Sequence, residues 1–202
     1  MGITRVRDAL RKFEFSATAI LLPAVIYFLN AGYFIILTFV AVFAHELGHY
    51  IAVRLCGGEV SRVRLSLTGA SMSYSGLSYG GEVIAGLSGP GASVALAVAA
   101  SLCGRVFDFE PSTHLAGLSL LLGVFNLLPA FPLDGGRALF GAVAHLFGLR
   151  AAEVTRKITS AALIAALLVL GAYLVIKTRN PTLALAAVWL AGSYLRPKKY
   201  AS

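Results

Sequence analysis

Charge is what this sequence has least of. Aspartate, glutamate, lysine and arginine make up 13% of its 202 residues, about half the share usual in a soluble domain. With 58% hydrophobic residues and a mean hydropathy of +0.81, too few charges remain to cover a water-facing surface. That excludes an ordinary soluble globular protein. Acids are scarcer than bases, 9 against 17, for a net charge of +8. Such a balance could suit nucleic acid, but the basic residues stand at the ends of apolar runs rather than in one patch. The aromatics lie mostly inside those runs. The expected partner is therefore the lipid bilayer, and no nucleic acid is expected.

Cysteine is nearly absent too. Cys56 and Cys103 end different apolar runs, on opposite sides of the expected membrane, and neither has a metal-ligand neighbour. A disulfide scaffold is excluded, and both read as small apolar residues. A cleavable signal peptide is not expected either, because no convincing small-residue cleavage site follows the apolar segment after the basic stretch 5–12.

What is present is a series of long apolar runs. They read as spans at 15–29, 33–56, 83–103, 114–128, 158–176 and 183–195. The expected fold is an all-α polytopic membrane protein, one domain over 1–202, with about six transmembrane helices. Between the second and third runs, residues 60–67 alternate in polarity, which predicts a small β-hairpin or re-entrant sheet at the membrane edge. Residues 135–148 read as a short helix near the interface. With the N-terminus in the cytoplasm, only Arg105, Lys177 and Arg179 of the 17 basic residues fall outside. Both termini are accordingly expected in the cytoplasm, of a prokaryotic cell membrane.

Two acids fall at membrane depth, Glu46 and Asp134. Glu46 sits between His45 and His49 inside an apolar run. Ionisable groups there cost several kcal/mol unless paired, coordinated or wetted, so they are functional candidates. His45-Glu46-Leu47-Gly48-His49 is an HExxH pattern on a helix. Residues i and i+4 share a helix face, so both imidazoles can reach one Zn2+ ion. Glu46, turned away by about 100°, can take a proton from the attacking water. A polar cluster that merely joins helices is the alternative for this trio. A catalytic zinc usually has three protein ligands, and the other deep acid, Asp134, supplies the third. It stands in Asn126-Leu-Leu-Pro-Ala-Phe-Pro-Leu-Asp134-Gly-Gly-Arg137, where Pro129 and Pro132 stop regular helix and Gly135-Gly136 permits a close turn. Broken backbone at membrane depth needs surrounding protein or water.

With both elements in hand, the sequence resembles the site-2 protease family of intramembrane metalloproteases. Its two signature elements stand in order on separate spans, and the likeness covers essentially the whole chain. The resemblance implies His45, His49 and Asp134 as zinc ligands, Glu46 as general base, and Asn126 as a substrate-binding or oxyanion-binding group. It implies a membrane-associated protein substrate cut within or near its membrane segment, in regulated proteolysis, with a regulatory membrane protein as a further partner. The sequence does not set the oligomeric state. Within the family the likeness is to the stage IV sporulation protein FB type, without the nucleotide-binding CBS domain that often follows in such proteins. One departure stands out. Many members carry Gly-Pro-x-x-Asn in the third span, and here the run is Gly89-Pro90-Gly91-Ala92-Ser93. The small residues Ala85, Gly86, Ser88, Gly89, Gly91, Ala92 and Ser93 suit close helix packing, but the polar role of that Asn is not carried over. Two rivals are a zinc transporter, which should show further ligands along other spans, and a silent relative acting as an adaptor, which should have lost one of the four key residues.

Overall fold

Short side chains at helical spacing decide how this chain packs. The structure, a computed structural model, describes residues 13–15, 32–66 and 69–195. Beyond Phe15, the span expected at 15–29 lies outside those residues, as do the basic ends of the chain. The described elements are β1 (Phe13–Phe15), α1 (Gly32–Leu55), β2 (Glu59–Ser66), β3 (Gly69–Ser75), α2 (Tyr79–Phe107), α3 (Glu110–Asn126), α4 (Asp134–Thr178) and α5 (Thr182–Leu195). They form two compact units, Met1–Phe125 and Asn126–Ser202.

In the first unit, α1 buries Ala41, His45, His49, Ala52 and Val53, one stripe at helical spacing. The facing stripe on α2 is Ala85, Gly86, Gly89, Pro90, Ser93, Ala97 and Ala100. Nearly all are small, so the helices approach closely. A Cβ on Gly48 would stand 2.6 Å from the Ser88 carbonyl oxygen and 2.7 Å from the Ala92 methyl. Later residues of α1 meet earlier residues of α2, so the two helices run antiparallel. Gly123 of α3 packs against the same helix, where a Cβ would come 3.0 Å from the Cβ of Ser93.

The hairpin expected from the alternation at 60–67 is present. β2 pairs antiparallel with β3, from Glu59↔Ser75 to Ser66↔Gly69, with a register irregularity between Val60 and Arg62. β1 adds a parallel partner on the other side of β2, giving the order β1-β2-β3. Val60 and Met72 bury against Val53 and Ala85, which fixes the hairpin base to α1 and α2. The Tyr74 hydroxyl also donates to Glu82 Oε2, 2.9 Å away, on the first turn of α2.

Helix limits differ from the sequence reading at several ends. α2 starts at Tyr79 because the Ser78 hydroxyl accepts the Gly81 N–H at 3.1 Å, a helix N-cap. α3 stops at Asn126, shortly before Pro129. In the second unit, α4 comprises two helices, the short one expected at 135–148 and a longer one that holds the span expected at 158–176. It is broken only at Gly148, whose φ of 83° suits glycine. The intervening residues are good helix formers, and Glu153 pairs with Arg156 at 2.6 Å one turn on. α5 packs on α4 at Gly171, where a Cβ would fall 2.8 Å from the Ala184 backbone. Three described helices, α1, α2 and α4, are long and apolar enough to cross a membrane. Their outward side chains, such as Phe39, Phe43, Val98 and Ile176, are exposed and apolar, as lipid-facing side chains should be.

Candidate metal centre

The site is built on the helical period of α1. His45 and His49 lie one turn apart on its buried face and are 4% and 8% exposed. Their rings stand edge to face, with centroids 4.8 Å apart and planes at 77°. The two Nε2 atoms are 3.2 Å apart. Each Nδ1 points the other way, into α2. His49 Nδ1 lies 2.6 Å from the Ala85 carbonyl oxygen, and His45 Nδ1 lies 2.8 Å from Ser93 Oγ.

This arrangement has a chemical meaning. A carbonyl oxygen only accepts, so His49 carries its proton on Nδ1 and offers the Nε2 lone pair. Metal-bound histidines almost always engage the far nitrogen in this way, which fixes ring and tautomer together. Two imidazole nitrogens turned to one point, each ring anchored at its back, fit a cation of zinc type. Gly89 makes the room. A Cβ there would lie 2.1 Å from His49 Nε2.

Glu46 occupies the next position on α1 after His45 and is half-buried. In the second unit, Asn126 ends α3 half-buried, and a seven-residue irregular segment leads from it to Asp134. Asp134 is 9% exposed and begins α4, with Leu133 in the capping position. The segment before it is well held. The Phe131 N–H donates to Ser160 Oγ at 3.0 Å, and the Arg156 guanidinium lies 5.5 Å from the Phe131 ring centroid. Gly135 and Gly136 face this segment directly, since a Cβ on Gly135 would fall 2.0 Å from the Leu127 carbonyl oxygen.

Sequence reasoning missed the α2 side of this site. Ser93 was credited with packing alone, yet its hydroxyl is a hydrogen-bond partner of His45. The Ala85 carbonyl carries no signal in a sequence at all. The small-residue run marks α2 as a packing helix, but periodicity cannot say which of its residues lie opposite the histidines. Of the other histidines, His114 Nδ1 lies 2.7 Å from the Tyr33 hydroxyl and His145 is exposed.

Known proteins bear on these features in two ways. Over 118 residues the chain is 33% identical to a zinc metalloprotease of Methanocaldococcus jannaschii, and over 125 residues 35% identical to Rip3 of Mycobacterium tuberculosis. These matches take in 56% and 57% of the chain but 35% and 32% of those relatives, so the chain spans about a third of their length. The solved structure titled site-2 protease, from Methanocaldococcus jannaschii, superposes with a TM-score of 0.73 at 26% identity, covering 94% of this chain and 93% of that one. Residues 109–171 match the family described as Peptidase family M50. The likeness to that family thus runs through α3 and most of α4. The M50 match contains Asn126 and Asp134 and not the histidine pair. The pair is therefore an observation independent of it.

Proposed function

We propose that this chain is a member of peptidase family M50, an intramembrane zinc metalloprotease that hydrolyses a peptide bond within or near the membrane segment of a membrane-associated protein. One observation carries the reading. His45 and His49 bring their Nε2 atoms within 3.2 Å inside an apolar helix, with both Nδ1 atoms anchored behind them. The donor types add support, because two imidazoles and a carboxylate, as His45, His49 and Asp134 would supply, suit zinc. The relatives' names agree in kind.

In this reading His45, His49 and Asp134 hold the zinc. When bound, zinc polarises a carbonyl and makes water acidic enough to deprotonate near neutral pH. Glu46 takes the proton from the attacking water and returns it to the leaving amide nitrogen. The Asn126 side chain donates a hydrogen bond to the substrate carbonyl as charge develops on it. A substrate helix has to unwind to expose its carbonyls, and the outer edge of β3 offers an extended segment a place to pair. Six spans in one domain, cytoplasmic termini, a regulated pathway with a regulatory partner, and the stage IV sporulation protein FB subtype belong to the same proposal. The transporter alternative wants ligands along other spans, whereas His114 engages Tyr33 and His145 is exposed.

The test combines metal analysis with cleavage. Wild-type chain purified in detergent should carry about one zinc, as a single three-ligand site requires. His49→Ala and Asp134→Ala should lose it. Glu46→Gln should keep its zinc and lose cleavage of a panel of tagged single-span membrane proteins. Zinc held equally tightly by both ligand variants would break the ligand set. Full cleavage by Glu46→Gln would remove the base assignment.

A further inference from the structure

We infer that Ser93 is a positioning residue for the metal site, its hydroxyl setting the ring plane and tautomer of His45. The inference rests on the zinc reading above. Ser93 is fully buried on α2, with Oγ 2.8 Å from His45 Nδ1. The Ala85 carbonyl leaves His49 no choice of tautomer, but a hydroxyl can donate as well as accept. When Ser93 accepts, His45 is protonated on Nδ1, and its Nε2 lone pair is presented beside that of His49. When Ser93 donates, the His45 proton sits on Nε2 and the ring cannot ligate. Metal loading is thus linked to the accepting orientation of this one hydroxyl.

Packing does not account for the hydroxyl. Contact with α3 runs through the Ser93 Cβ, which would lie 3.0 Å from a Cβ on Gly123, and an alanine would keep that contact. Another buried serine gives a matched comparison. Ser119 of α3 is also fully buried, and among the described residues its Oγ has no hydrogen-bond partner. Removing that hydroxyl deletes the same atom from a comparable environment without touching a histidine.

The experiment compares the full chain, purified in detergent, as wild type, Ser93→Ala and Ser119→Ala. Zinc affinity is read by competition with a chromophoric chelator, and ligand geometry from the visible spectrum of the cobalt-loaded protein. We expect Ser93→Ala to bind zinc about 10- to 100-fold more weakly, the usual effect of losing an outer partner of a metal-bound histidine. Its cobalt spectrum should change, while Ser119→Ala should match wild type in both measurements. Should Ser93→Ala prove unrecoverable, Ser93→Cys, close in size and a poorer acceptor, carries the same comparison. Wild-type affinity and spectrum in the Ser93 variant overturn the inference and leave the zinc site standing. Equal losses in the Ser93 and Ser119 variants overturn it too, since they show only a response to losing a buried hydroxyl. A wild-type chain that binds neither metal removes the zinc reading and this inference with it.

Discussion

At the scale of single residues, Gly89 shows how function and local preference oppose each other. Alanine favours a helix interior over glycine by about 1 kcal/mol, so Gly89→Ala should strengthen α2 in isolation. Yet the added Cβ would lie 2.1 Å from His49 Nε2. That ring cannot swing aside cheaply, because its Nδ1 is bound to the Ala85 carbonyl in a buried setting. We expect Gly89→Ala to fold and to bind zinc at least about 10-fold more weakly, the scale on which disturbed metal ligands respond. Isothermal titration in detergent measures it, and unchanged affinity would contradict the placement of His49. That His45 and His49 would stand together on one face was legible in the sequence, because i and i+4 are neighbours on any helix. The role of Gly89 was not, because a glycine in a small-residue run has several equally good reasons to be there.

Between elements, the α1–α2 contact depends on backbone approaching backbone. Gly48→Ala would place a methyl 2.6 Å from the Ser88 carbonyl oxygen, and overpacking of this kind costs about 1–3 kcal/mol. Gly91→Ala is the matched comparison, since nothing lies within 4 Å of its added Cβ. Thermal unfolding in detergent should show a clear loss for the first and none for the second. Equal responses would mean that the helices do not meet at Gly48. The sequence marked Gly91 as part of the packing run together with Ala85, Gly89 and Ser93. In the structure it is exposed, because it falls between turns of the buried face.

A second element-scale expectation concerns the segment before Asp134. Ser160→Ala leaves the Phe131 N–H without its acceptor, a loss of about 1 kcal/mol. Faster amide exchange at 127–133 should report it, with no change around His45 and His49. Pro129 and Pro132 announced an irregular segment here. That α4 itself supplies the group pinning it could not be read in advance, since Ser160 is 29 positions away in the chain.

At the scale of the whole molecule, the expected orientation has a direct check in the two free cysteines. Cys56 follows the C-terminal end of α1, and Cys103 lies near the C-terminal end of the antiparallel α2. If the basic residues orient the chain as proposed, a membrane-impermeant maleimide applied from outside cells should label Cys103 and spare Cys56. Inverted vesicles should show the reverse, and labelling of both from one side would refute the topology.

Composition alone determined that this protein belongs in lipid, because 13% charge cannot clothe a soluble surface of this size. Spacing alone determined the pairing of the two imidazoles on α1 and the hairpin after it, because helical and strand periods are local properties. Only the tertiary structure decided what stands behind the histidines, where α2 begins, and that helix resumes directly after the break at Gly148, through residues 149–157. Those outcomes depend on which groups of distant segments meet, and on caps and pairings that local periodicity does not encode.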